Sequence, residues 1–328
     1  MSVRSMSVRS IAAGLMGVFV LGLGAASAQD WPSKPVRIVT GFAAGGIGDL
    51  GARLLAEHIT RTTGQQAVVE NRTGAAGTLG MDAVAKAPPD GTTLGLALNG
   101  NLVINPFIQK QMPFDAQKDL LPVAAIGDAP QLIALSTEVP ATTFKEFQAL
   151  AKEKPRTFSY GSAGPGSLPH LSAAEFARLA GIELVHVPYR GNAPAMIDLL
   201  AGRIHLISAS IGTFRPGMDA GKIRLLLTAT KERLAYLPEL PTSAEAGLPG
   251  YLMSVWIGVV APAGTPAPVV EKIHAMVQGM MKHEPAQKAM AAAGLDLMPM
   301  SQPEFAAFVK AEYARWEKIV QAAGVEKE

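Results

Sequence analysis

Two glycine-rich turns hold most of the chemistry this chain can offer. The first runs Val39-Thr-Gly-Phe-Ala-Ala-Gly-Gly-Ile-Gly-Asp-Leu-Gly-Ala-Arg53, a strand passing through a turn into a helix. Gly45, Gly46 and Gly48 let backbone N–H groups approach a ligand closely, and the free N–H groups of the first helical turn add the positive end of the helix dipole. That combination binds anions. The second turn, Tyr160-Gly-Ser-Ala-Gly-Pro-Gly-Ser-Leu-Pro-His170, has the same plan, with Ser167 placed as an N-cap. Either turn alone also reads as an ordinary strand-to-helix connection. As a pair they suit a ligand with two acidic ends, or an acid gripped between two lobes.

Other chemistries fit less well. Gly46-Ile-Gly-Asp-Leu-Gly51 spells the dinucleotide fingerprint, and Glu70 ends the next strand near the place for an acid on a ribose hydroxyl. Against an NAD-dependent dehydrogenase stand the four residues Phe42 to Gly45, which separate the strand from the first fingerprint glycine, and an export signal at the N-terminus. No Gly-x-Ser-x-Gly elbow is present, since Gly161-Ser-Ala-Gly164 lacks the spacing that exposes a nucleophile. His58, His170, His186, His205, His274 and His283 show no paired ligand spacing. No catalytic residue, metal site or cofactor is therefore assigned, and the chain is not read as an enzyme. Arg190 has the fork that matches a carboxylate, with a surface ion pair as the preferred role. Met276 to Met300 reads as helix core, and Tyr251 and Trp256 are expected at a lobe junction.

The elements that must position these turns alternate between short β-rich runs and helical stretches, which argues for parallel sheets covered by helices on both faces. Strands are expected near residues 36–42, 67–71, 92–98, 123–126, 132–136, 157–160, 184–188, 204–207, 223–228 and 256–261. The clearest helices start near Asp49, Thr143, Ser167, Asn192, Pro266 and Gln302, each with a capping residue or an early proline.

Residues 1–28 read as a cleaved secretory signal peptide. Arg4 and Arg9 form its basic start, residues 11–24 its apolar stretch, and Ala26-Ser-Ala28 the small-residue cleavage pattern. An uncleaved membrane anchor is the alternative, disfavoured by the short apolar run. Removing Arg4 and Arg9 takes the formal charge of the 328-residue chain from +2 to zero, so no field is available to hold nucleic acid or an acidic membrane surface. The chain has no cysteine, hence no disulfide, thiolate nucleophile or lipid-anchored start. A soluble periplasmic protein is the expectation.

Several segments in order carry a family resemblance. They are Trp31-Pro-Ser-Lys-Pro-Val-Arg-Ile-Val39, the first glycine turn, Val68-Val-Glu-Asn-Arg72 with Gly74-Ala-Ala-Gly77, Tyr160-Gly-Ser-Ala-Gly164 with Pro169-His-Leu171, Val187-Pro-Tyr-Arg-Gly191, Leu237-Pro-Glu-Leu-Pro-Thr-Ser-Ala-Glu-Ala-Gly247 and Ala261-Pro-Ala-Gly-Thr-Pro266. Taken together the chain resembles the Bug family, the substrate-binding proteins of tripartite tricarboxylate transporters. The resemblance implies a type II periplasmic-binding-protein fold, two α/β lobes closing like a Venus flytrap on a ligand in the cleft between them. It places lobe one at residues 29–127 plus 256–328 and lobe two at 128–255, with crossings near 127–131 and 254–259. It implies carboxylate binding and transport, with large and small membrane subunits as partners and a monomeric receptor. A sensor module that presents the liganded clamp to a signalling partner is the alternative.

Carried over by position, the resemblance assigns Phe42, Ala43, Ala44, Gly45, Gly46, Gly48 and Asp49 to the ligand-binding loop of lobe one, with Asp49 as helix cap and loop organiser. From lobe two it assigns Ser162, Ala163, Gly166, Ser167 and His170. Asn99 and Asn101 are placed to add amide donors at the mouth of the cleft. The chain departs from the family pattern at Ala44, where a proline is common, and at Ile47, near which a hydroxyl residue is usual. It departs again at Ala209, where relatives place an acid that meets a ligand amino group. Ser208-Ala-Ser210 therefore argues against an amino acid and for an aliphatic or aromatic mono- or dicarboxylate.

Overall fold

Val36, Ile38 and Val39 are buried on a stretch rich in β-branched residues, and the strand they form, β1 (Val36–Thr40), stands one strand in from the edge of a six-stranded sheet. The computed structural model describes residues 31–327, so the expected signal peptide lies outside the described residues. The other strands of this sheet are β2 (Ala67–Asn71), β3 (Thr93–Leu98), β4 (Leu120–Pro130), β10 (Ser254–Pro262) and β11 (Asp296–Leu297), in the order β11-β4-β10-β3-β1-β2. The second sheet holds β5 (Leu132–Ser136), β6 (Ser159–Ser162), β7 (Val185–Pro188), β8 (Leu206–Ala209) and β9 (Ile223–Thr228), in the order β7-β6-β8-β5-β9.

Neither sheet is wholly parallel, which corrects the reading from alternation. Strand β1 runs parallel to β2 and β3, and β6 runs parallel to β7 and β8. Strand β10 is antiparallel to β3 and β4, and β5 is antiparallel to β8 and β9. The reason is the passage between sheets. Only Gln131 separates β4 from β5, so the chain leaves one sheet and enters the next without a reversing helix, and β10 makes the return trip.

Helices α1 (Ile47–Thr63), α2 (Thr78–Ala85) and α3 (Asn105–Ile108) serve the first sheet, α3 following a π-helical segment at Gly100–Ile104. Helices α4 (Phe144–Glu153), α5 (Leu168–Ala180), α6 (Asn192–Leu200), α7 (Ile211–Asp219) and α8 (Ser243–Ala246) surround the second. The chain then returns through α9 (Ala267–Met281), α10 (Glu284–Ala292) and α11 (Gln302–Ala322). Several starts follow from local chemistry. Thr143 and Glu146 close a capping box on α4, Ser167 accepts from the His170 N–H at the head of α5, and Ser301 with Glu304 closes a box on α11.

Three apolar clusters organise the interior. One joins the first sheet to α1, α9 and α10 through Leu55, Ile126 and Val277, and another joins the second sheet to α6 and α7 through Leu199 and Phe214. The third is continuous across both sheets, running from Val39 and Ala97 through Trp256, Trp316 and Tyr251 to Phe176 and Leu206. Helix α11 lies along β4 and the π-helical segment and also touches α5. Trp256 and Trp316 both donate their ring N–H to Glu312, whose carboxylate also pairs with Arg315. The segments that pass between the sheets are tied by backbone bonds from Gln131 N–H to Met253 O, Ala229 N–H to Gln131 O and Met253 N–H to Ala229 O, at 2.8, 2.9 and 3.1 Å.

Candidate functional site

The parallel strands β2, β1 and β3 end at Asn71, Thr40 and Leu98, and β7, β6 and β8 end at Pro188, Ser162 and Ala209. Ligands of open α/β sheets bind outside such carboxyl ends, where helix N-termini and loops gather. The loops of the two sheets approach each other: a Cβ placed on Gly166 would lie 3.1 Å from Ile108 Cδ1.

In the first loop Gly45 takes φ +88°, and Ala43 to Gly46 are exposed. Helix α1 begins at Ile47 with Gly46 as its N-cap, so Asp49 is not the cap expected from sequence but a first-turn residue reaching back. Its Oδ2 accepts from Gly45 N–H at 3.0 Å and Arg53 Nε at 2.8 Å, while Oδ1 accepts from Asn71 Nδ2 at 2.9 Å. Asn71 Nδ2 also donates to Phe42 O at 2.9 Å. Arg53 first, and then Gly45 and Asn71, hold the Asp49 carboxyl down to about 2 against the opposing effect of burial. Asp49 is thus an ionised organiser whose oxygens are already engaged. Gly46 offers no side chain to cap α1, which leaves the first-turn N–H groups without a side-chain acceptor.

Two of the three fingerprint glycines, Gly48 and Gly51, have packing roles. A Cβ on Gly48 would sit 3.0 Å from Leu98 Cδ1 and 3.2 Å from Thr40 Oγ1, and one on Gly51 2.9 Å from Ile257 Cδ1. They let α1 lie directly on the sheet. Gly41 is tighter still, since its Cβ would meet the Gly77 backbone at 2.4 Å.

Two polar atoms beneath this loop have no partner: Thr40 Oγ1 and Asn101 Nδ2, both on fully buried residues. Unmade bonds of this kind are costly, and they gather where a ligand or ordered water completes them. Asn101 Oδ1 accepts from Leu98 N–H at 3.0 Å, and its Nδ2 is 3.0 Å from the Cβ position of Gly77, against which Phe42 also packs. Asn99 has a different post. Its Oδ1 accepts from Gly100 N–H at 3.0 Å and its Nδ2 donates to Ser254 O at 2.8 Å, next to the passage between the sheets. Both asparagines are buried rather than standing at a mouth.

In the second loop Gly164 and Gly166 take φ +119° and +68°. Ser162 Oγ lies 2.6 Å from His186 Nε2 and accepts from Gly164 N–H at 3.1 Å, and Ser167 Oγ donates to Gly164 O at 2.6 Å. Gly166 N–H donates to His170 Nδ1 at 3.1 Å. The His170 ring stacks on His186 with centroids 4.0 Å apart, and His186 stacks on Tyr160 at 4.9 Å. Burial, with His186 beside it, pushes His170 down to about 4, so both rings stand neutral at pH 7. Ala163 is half-buried within this loop, and Ala209, one strand over, is buried among apolar neighbours with Ser208 Oγ bonded to Ser172 at 2.7 Å. Arg190 is exposed and makes no ion pair among the described residues, contrary to the surface pairing expected of it.

The structure therefore assembles Phe42 to Asp49 with Asn101 in one group, and Ser162 to His170 in another, with Ala209 at the neighbouring strand end. Sequence reasoning passed over Thr40, Asn71, Tyr160 and His186. Asn71 had a signal, as the last residue of a strand beside the glycine turn. The histidine stack had none, because the β6–β7 register that pairs Tyr160 with His186 creates it.

The model of the tripartite tricarboxylate transporter family receptor matches residues 51–325. Among solved structures, the R. palustris protein Rpa4515 with adipate is 35% identical, with a TM-score of 0.76, over 91% of this chain and 100% of that one. The periplasmic binding protein BugD is 33% identical, with a TM-score of 0.72, over 91% and 100%. MatC (Rpa3494) from Rhodopseudomonas palustris with bound malate is 31% identical, with a TM-score of 0.71, over 88% and 100%.

Proposed function

The chain belongs to the tripartite tricarboxylate transporter receptor family, the Bug-type solute-binding receptors, and from that premise we propose that it captures a small carboxylate in the periplasm and hands it to a membrane transporter. The family is one of receptors rather than enzymes. What carries the carboxylate reading is the first loop: an uncapped helix N-terminus beside a glycine turn held by Asp49, above the unpartnered Thr40 Oγ1 and Asn101 Nδ2. One carboxylate end binds at Phe42 to Gly48, directly or through water that also satisfies Asn101. The loop from Ser162 to Ser167, with the wall at Ala209, closes over the other end.

The relatives holding adipate and malate support a dicarboxylate. The apolar surroundings of Ala209 support a ligand without an amino group. Residues 31–130 with 254–327, which build the six-stranded sheet, form one lobe and 131–253 the other, and the large and small membrane subunits of the transporter read their closure. Thermal melting against adipate, malate, benzoate, aspartate and NAD tests this. A ligand that binds only the folded form raises the midpoint by mass action. A rise with a carboxylate lacking an amino group, absent with NAD, is the expected result. A rise with NAD alone, or with aspartate above every other acid, overturns it.

A further inference from the structure

Away from the first glycine loop, a pocket of about 730 Å³ opens between the end of α11 and the head of α5. Its walls include Lys110, which follows α3 of the first sheet, and Tyr160, His170 and His186 of the second. The segment after α11 closes it with Glu326 and Lys327. None of Phe42 to Asp49 lines it.

His170 makes this more than a surface hollow. The residue is only 7% exposed, and among the described residues its Nε2 has no hydrogen-bond partner. Its tautomer follows from geometry: Nδ1 accepts the Gly166 N–H, so in the neutral ring the proton sits on Nε2. A preset donor on a mostly buried ring therefore faces a pocket that carries two exposed ammonium groups against the single carboxylate of Glu326. Lys327 Nζ lies 3.4 Å from Pro106 O, a loose tether that leaves its charge available. The volume falls in the range of small-molecule sites and exceeds what a bare inorganic ion fills.

We propose that this pocket is a second ligand site, taking a small organic acid whose carboxylate accepts from His170 Nε2–H and is flanked by Lys110 and Lys327. An acid held there joins an element of the first sheet, an element of the second and the C-terminal segment. It therefore favours the arrangement in which Gly166 rests against Ile108. The site acts as an effector position between the sheets but away from the first glycine loop, and His170, expected from sequence to face the cleft, serves this pocket instead.

The test is a titration of the full chain, labelled with ¹⁵N in histidine and glycine, using benzoate, adipate and inorganic phosphate in turn. Benzoate or adipate should shift the His170 Nε2 signal saturably at millimolar concentration. The exposed-site variants Lys110→Ala and Lys327→Ala should each weaken that response roughly tenfold, the effect of losing one charged contact. The Gly45 and Gly46 signals, which report the cleft, should keep their wild-type response in both variants. Three outcomes overturn the proposal. His170 answers none of the organic acids, it answers phosphate more tightly than either of them, or it moves with the midpoint of Gly45 and Gly46 and ignores both lysine substitutions. Loss of the glycine response alone would count against the cleft reading and leave this one standing.

Discussion

A single imidazole couples the second loop to pH. Unfolded, His170 takes up its proton near pH 6.5, whereas the folded ring resists until about 4. Between those values the unfolded chain binds more protons, so stability is full above pH 6.5 and falls as pH drops towards 4. A shift of this size corresponds to about 3 kcal/mol. Urea unfolding at pH 7.5 and 4.5 should show wild type losing more stability than His170→Asn, and equal losses would refute the assignment. Asp49 is the counterpart in the first loop. Asp49→Ala strands the Gly45 N–H, Asn71 and Arg53 together, so the acid that best stabilises the protein should bind at least ~10-fold more weakly by calorimetry. Circular dichroism should remain unchanged, because α1 propagates from Ile47 without that side chain as its cap.

Helix α1 sits on its sheet because Gly48 and Gly51 carry no Cβ. Gly51→Val forces branched carbons into Ile257 and Leu96, and should lower stability by about 1–3 kcal/mol in chemical denaturation. An unchanged midpoint would mean the helix can lift without cost. This double demand also explains where the sequence misleads. Close packing and close ligand approach both select glycine, so Gly46-Ile-Gly-Asp-Leu-Gly51 could not declare from its letters which one it served. Strands β2, β5 and β9 were legible to the residue, since their apolar runs end at glycine, proline or polar turns. Strand β8 was not. It was expected at residues 204–207 and occupies Leu206–Ala209, because pairing of Leu132 with Ala209 sets its register from a distant strand. The two-residue β11 has too little pattern to be seen at all, and it exists through its pairing with Asp128 and Gly127. The first glycine loop was legible because its chemistry is local. Asn101 was named from sequence as an amide donor, whereas Thr40 became a site candidate only once burial left its hydroxyl without a partner.

At the scale of the whole molecule, Arg315 locks α11 to the passage between the sheets. It donates to Leu252 O at 2.6 Å and pairs with Glu312, the acceptor shared by Trp256 and Trp316. Arg315→Met leaves a buried carboxylate without its cation, and stability should fall by roughly 2 kcal/mol, less than for a fully enclosed pair because Arg315 is partly exposed. The core continuous across both sheets should make this loss one cooperative transition, and two resolved calorimetric steps would contradict that. The place of β10 carries one more consequence. It lies between β3 and β4, although more than a hundred residues separate it in sequence from either of them. While the chain is being made, β3 and β4 have no partner on their facing edges until residues 254–262 have been added. The first sheet cannot close until translation is nearly finished. A ribosome stalled short of residue 254 would hold two open strand edges prone to aggregate.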